Sequence, residues 1–312
     1  MSRYLRAHLA APDDVQQLAS SLKGHVEVLA GLIGPRHLGK PSTMDAAVVY
    51  IQRELTAIGD TVRQISYPVN EVQAINLAVE RVGTRRAKEI VVVGAHYDTV
   101  PETPGADDNA SAVAMLIEVA RLTAGCPMQR TLRFVAFACE EPPHFYVETM
   151  GSQQYARACR KANENIVGML CLEMVGYYSD APNSQRMPPG IPRMLRWAFP
   201  RRGNFLTAVG NFRSIPLLHG FRRGFKRASR LPLYSVALPE AIQEIRLSDN
   251  GSFWDQGYPA LMVTDTSFLR NPHYHQASDR PDTLDFARLA AGTIGVAGAV
   301  CRICGCGKAH RN

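Results

Sequence analysis

The chain has 312 residues, 46% of them hydrophobic and 20% charged, the balance of a globular protein with a sizeable core. No apolar run approaches the roughly 20 residues needed to span a bilayer. The N-terminus also lacks the apolar stretch of a secretory signal, so a cytoplasmic protein with no membrane association is the simplest expectation. The net charge of +7 is unevenly spread: residues 181–246 hold twelve Lys or Arg against two acids, and the remainder is slightly acidic. That excludes a general nucleic-acid binder and leaves a local basic face.

In chain order, residues 13–33 have helical spacing of Val15, Leu18, Leu22, Val26, Leu29 and Leu32, after Pro12 and two acids. A second amphipathic helix follows Thr43, with Ala46, Val49, Ile51, Leu55 and Ile58 as its apolar set and Gly59 as its end. Residues 61–67 and 74–81 read as strands, and 89–94 as a buried central strand. The pattern then alternates: helix 111–123, strand 131–139, helix 151–160, strand 166–172, strand 259–264 and a last helix within 283–303. Alternation of this kind predicts an α/β fold, a three-layer sandwich whose mixed, mostly parallel sheet of about eight strands lies between helices. Residues 178–247 interrupt it, rich in Pro, Gly and Arg with isolated apolar groups such as Trp197, Phe199 and Phe205. They read as a basic, lid-like excursion from the sheet.

Each central strand ends in groups that bind cations. The 89–94 strand runs into His96 and Asp98, the 131–139 strand into Glu140 and Glu141, the 166–172 strand into Glu173, and the 259–264 strand leads to His273 and His275. Asp107 and Asp108 lie just before the 111–123 helix. In open parallel sheets ligands bind beyond the carboxyl ends of the strands. So many carboxylates at one edge would repel one another and resist desolvation unless cations neutralised them. A mixed His and carboxylate set suits zinc, with manganese or cobalt as alternatives. Five ligands suit two ions that share a bridging carboxylate. Of the paired acids, Asp107 reads as a turn residue. Of the two histidines, His275 is favoured over His273 by its spacing to Asp279.

The seven cysteines fit a reducing compartment, with Cys139 and Cys171 as small apolar groups in strands. Cys301, Cys304, Cys306 and His310 match no zinc template and read as structural or inert.

The motifs AHYD (95–98), GADDNASA (105–112), CEEPP (139–143), LEMVGY (172–177) and YHQASD (274–279), in that order, resemble the di-zinc exopeptidases. That family includes bacterial leucyl aminopeptidases, glutamate carboxypeptidase and glutaminyl cyclase, and the resemblance covers the chain from about residue 30 onward. It implies a single metallopeptidase domain over 1–312 with two zinc ions. His96 and Glu173 would hold one ion, Glu141 and His275 the other, and Asp108 would bridge them. Asp98 would orient His96, and Glu140 would be the general base. Glu173 stands where the family often has Asp. A non-proline cis peptide between Asp108 and Asn109 is also implied. The implied activity is removal of N-terminal residues from a peptide or amino-acid-derived substrate. The alternatives are a carboxypeptidase, a single-zinc acyl transferase of the glutaminyl cyclase type, and a metal-free, non-enzymatic relative. The oligomeric state stays open.

Overall fold

The computed structural model describes residues 12–188 and 199–306; Trp197 and His310 lie outside them. Helix α1 (Pro12–Val26) runs into a wider π turn at Glu27–Ile33, followed by α2 (Pro41–Ala57), β1 (Val62–Val69), β2 (Val72–Arg81) and β3 (Arg86–His96). Then come α3 (Ala112–Thr123), β4 (Arg130–Phe137), α4 (Gly151–Lys161) and β5 (Asn165–Glu173). The last part holds β6 (Leu206–Gly210), α5 (Ile215–Ala228), β7 (Leu233–Ala237), α6 (Asn250–Asp255), β8 (Ala260–Thr264) and α7 (Phe286–Cys304).

The strands form one eight-stranded sheet in the order β1-β2-β4-β3-β5-β8-β6-β7. Strands β4, β3, β5 and β8 run parallel, whereas β1, β2 and β6 join by antiparallel pairing. The central strands are buried along most of their length, including Val91 to Val93, Phe134 to Phe137 and Met169 to Leu172. Helices cover both faces and leave two apolar clusters, one on each side of the sheet. This is the expected α/β sandwich.

Three expectations need correction. Residues 178–247 are not wholly an excursion, because β6, α5 and β7 complete one edge of the sheet. Strands β6 and β7 are five residues each, their apolar residues are interrupted by Thr207, Tyr234 and Ser235, and Pro and Arg flank them. Leu32 and Val49, expected to face the core, are 82% and 67% exposed. The π turn at 27–33 shifts the helical phase at Leu32, and α2 instead buries the stripe Met44, Ala47, Val48, Ile51 and Leu55. The cysteines are not all reduced thiols: Cys126 and Cys306, 180 residues apart, are disulfide-bonded and tie the loop before β4 to the end of α7. That pairing removes the cysteine argument for a reducing compartment. Among the described residues, α7 is the one helix long and apolar enough to cross a membrane by length and composition, and 72% of its apolar window is buried in the protein.

Candidate metal centre

The sheet brings the expected groups to one place. His96 is the last residue of β3 and Glu173 the last of β5, while Glu140 and Glu141 lie three and four residues past β4. His275 arrives on the loop after β8, and Asp108 on the loop that leads into α3. His96 Nε2 lies 3.2 Å from Glu173 Oε2, 3.5 Å from Asp108 Oδ1 and 3.8 Å from Glu140 Oε2. His275 Nε2 lies 3.2 Å from both Asp108 Oδ2 and Glu141 Oε2. The six residues fall into two triads, His96/Glu140/Glu173 and Asp108/Glu141/His275, each with donor atoms within 4.8 Å of one another. Asp108 turns one oxygen to each histidine and so stands between the triads.

The donor set fits cations. His96 Nε2 and Glu141 Oε1 are buried without a hydrogen-bond partner among the described residues. Both are aimed into a cluster of imidazole and carboxylate donors. Electrostatics agree. Burial pushes the Glu141 carboxyl up to about 8, helped by the Asp108 charge. Burial, then the charges of Glu141 and Glu173, raise Glu140 well above the carboxylate range against the pull of His96. Burial alone would lower His96, but Glu140 and Glu173 outweigh it and hold its pKa well above the usual value. A group of buried acids that must hold protons to limit its charge is one that divalent cations would neutralise instead.

Supporting residues fix these positions. Asp98 sits behind His96, but His96 Nδ1 makes its 3.2 Å hydrogen bond with the Asp98 backbone carbonyl, the side chain lying 3.6 Å away. The Asp98 carboxylate accepts the backbone N–H groups of Glu140 and Glu141, both at 3.0 Å, and so pins the turn that carries them. Asp279 does the same for the bridging loop, accepting the N–H groups of Asp107 at 2.9 Å and Asp108 at 3.1 Å. Asp107 points away from the cluster: it accepts from Gly176, Ser111 and Asn271. His273 bonds to Ser278 and stays outside. The Asp108–Asn109 peptide is cis, as the resemblance implies.

Further residues support the site: Gly105 and Tyr274 lie within the GADDNASA and YHQASD motifs, whereas Arg36, Ser248 and Asp249 lie outside all five motifs. The fully buried Arg36 donates to the carbonyls of Leu29, Gly34, Tyr97, Pro104 and Gly105, and its own N–H to Thr99, fastening the loop between β3 and Asp108. Gly105, at φ +64°, allows that loop to close: a Cβ there would lie 2.3 Å from Thr99 and 2.4 Å from the Asp108 carbonyl. Ser248 donates to Glu173 at 2.7 Å. Asp249 beside it is fully buried, with neither carboxylate oxygen hydrogen-bonded among the described residues, and burial pushes its pKa up to about 7. Tyr274 stacks on His275 at 3.8 Å between ring centroids.

A cavity of about 410 Å³ opens from Asp108, Glu140, Glu141, Glu173 and His275. Its floor is the sheet face of β6 and β8 (Thr207, Val209, Met262 and Thr264), and Phe205, Leu238, Ile245 and Phe268 are among its walls. Arg222, Arg223, Lys226, Arg227 and Arg230 line no part of it, whereas Gln185 to Pro188, Phe199, Pro200 and Leu238 of the same 178–247 segment do.

Residues 76–203 match the model of Peptidase family M28. The protein YfbL of Escherichia coli is 33% identical over 283 residues, 88% of this chain and 85% of YfbL. Aminopeptidase YwaD of Bacillus subtilis is 30% identical over 129 residues, covering 39% of this chain and 28% of YwaD. Among solved structures, the zinc aminopeptidase BSAP of Bacillus subtilis superposes with a TM-score of 0.71 at 15% identity, over 91% of this chain and 95% of that one. The alignment with YfbL runs through most of both chains and takes in the segment that the family model matches, and on that ground the chain belongs to Peptidase family M28, a family of metal-dependent peptidases.

Proposed function

We infer that the chain, as one catalytic domain over 1–312, is a two-zinc aminopeptidase. The observation that carries this reading is Asp108, whose Oδ1 faces His96 at 3.5 Å and whose Oδ2 faces His275 at 3.2 Å. His96 and Glu173 would hold one ion, Glu141 and His275 the other, and Asp108 both. When bound, such a pair lowers the pKa of a water and polarises the scissile carbonyl. Glu140 is the general base. Its carboxylate is buried, it reaches the cluster, and its backbone is anchored by Asp98. It takes a proton from the attacking water and returns it to the leaving amine. Asp98 and Asp279 hold the strand ends and the bridging loop in register, and Ser248 orients Glu173.

The lining of the cavity favours amine over carboxylate recognition. Four carboxylates from the two triads converge at its inner end. Among the described lining residues the one guanidinium, Arg186, already donates to the Phe268 carbonyl. A C-terminal carboxylate therefore finds no dedicated ion-pairing partner among the described lining residues, which supports the N-terminal reading.

The test combines a metal count with Glu140→Gln. Two zinc ions per chain are expected in both proteins, with kcat for aminoacyl anilides lowered about 10²–10⁴-fold in the variant. One ion per chain would point instead to a single-zinc acyl transferase. Hydrolysis of N-blocked peptides in preference to free N-termini would overturn the aminopeptidase reading.

A further inference from the structure

Helix α5 has two different faces. Leu217, Leu218, Phe221 and Phe225 are buried, and Gly224 packs directly against Ala299 of α7. The opposite stripe, at spacings of four, three and four, is Ile215, His219, Arg222 and Lys226, with Arg223 and Arg227 beside it, all exposed. Arg213 just before the helix, Arg230 just after it and Arg302 on the adjoining α7 are exposed too.

These seven cations (Arg213, Arg222, Arg223, Lys226, Arg227, Arg230 and Arg302) make no ion pair or hydrogen bond among the described residues. Among the described residues no Asp or Glu side chain pairs with the patch, and the undescribed stretches 1–11, 189–198 and 307–312 contain no Asp or Glu. Some surface arginines elsewhere do find acids, as Arg246 does with Glu240 and Asp255, and Arg288 with Asp180 and Asp285. Like charges four apart on a helix repel, so this face gains most from an external anion.

We propose that the outer face of α5 is a docking surface for an anionic lipid bilayer. Two exposed apolar side chains decide for a bilayer over a nucleic acid. Phe212 is 58% exposed and Ile215 37% exposed, both at the N-terminal end of the same basic face. An aromatic and an aliphatic group flanked by arginines suit the boundary between headgroups and acyl chains, whereas a phosphodiester backbone offers them little. The apolar side of α5 stays committed to α7, so association is peripheral: Phe212 and Ile215 dip into the interface and the cations meet lipid phosphates.

Co-sedimentation of the full chain with vesicles tests this. Binding is expected to vesicles of phosphatidylcholine with about one-third phosphatidylglycerol, not to phosphatidylcholine alone, and is expected to be released by salt. Arg222→Gln with Arg223→Gln and Lys226→Gln should lower partitioning about 100-fold, at roughly fivefold per cation. Phe212→Ser should lower it several-fold. Because these side chains are exposed, unchanged peptide hydrolysis in solution certifies that the variants fold. The proposal is overturned if the unsubstituted chain ignores anionic vesicles or if the triple variant binds them equally well. Tight binding of duplex DNA that is insensitive to Phe212→Ser, with no loss of vesicle binding in that variant, would overturn it as well.

Discussion

Strands β3, β4 and β5 and strands β6 and β7 belong to one sheet but do different work. The first three are central, long and buried, and each delivers a titratable group at or just past its carboxyl end: His96, then Glu140 and Glu141, then Glu173. Strands β6 and β7 are five residues each and carry no ionisable group except Tyr234, yet Thr207, Val209 and Val236 line the cavity. Chemistry is thus mounted where both faces are covered and the backbone is fully paired, and shape is supplied by the short strands at the edge. Changes at the first group should abolish turnover, and changes at the second should redirect it.

The largest expected effect is at the point shared by both triads. Asp108→Asn removes the charge that each histidine faces, and should lose metal from the centre and at least about a thousandfold in kcat. Metal analysis by mass spectrometry beside kinetics reads both; full metal content with normal kcat would break the bridging assignment. Next comes Asp279→Asn, which keeps the shape but weakens the acceptor for the N–H groups of Asp107 and Asp108. A loss of about 10–100-fold in metal affinity or activity is expected, the usual cost of disturbing a residue that orients a ligand. On the other side of the comparison, Val209→Phe fills the cavity floor. It should raise KM about tenfold for substrates with a bulky N-terminal side chain and leave alanyl substrates nearly unchanged. Equal effects on both classes would show that the edge strands do not set side-chain preference.

The same contrast explains what was legible in the sequence. Strand β3 could be read because Ile90 to Val93 is a continuous β-branched run, and because His96 and Asp98 follow it at once. Strands β6 and β7 could not: β8, of the same length, runs Ala260 to Val263 as an unbroken apolar stretch, whereas Thr207, Tyr234 and Ser235 interrupt the apolar residues of β6 and β7. The candidate metal centre was readable wherever a charged residue follows an apolar strand. Arg36 was not, because it sits in a loop between helices and acts wholly through backbone carbonyls, which leave no trace in residue type. Asp249 and Asp279 were visible as acids, yet their roles come from burial and from N–H partners distant in sequence. The Cys126–Cys306 pair, 180 residues apart, likewise depends on the fold bringing two loops together.

The smallest expected effect concerns the metal-free protein and tests whether the central strands carry a true cation site. Burial, then the Asp108 charge, place the Glu141 carboxyl at about 8, against roughly 4.3 in an unfolded chain. Between those values the folded state holds a proton that the unfolded state has released, so stability falls as pH rises through the window. Burial by itself would lower His275, but its hydrogen bonds to Asp108 and Glu141 prevail and raise it to about 10. Its contribution is present in full below the unfolded value of roughly 6.5 and is lost as pH climbs toward 10. Both slopes have the same sign. The metal-free chain should therefore lose a few degrees of Tm between pH 6 and pH 9, as a kilocalorie or two would produce in a domain of this size. Zinc prefers deprotonated ligands and takes the place of those protons, so the loaded chain should hold or gain Tm over the same range. Calorimetry with and without zinc separates the two curves. Parallel curves would mean that Glu141 and His275 titrate independently of any ion, and the second half of the metal centre would have to be abandoned.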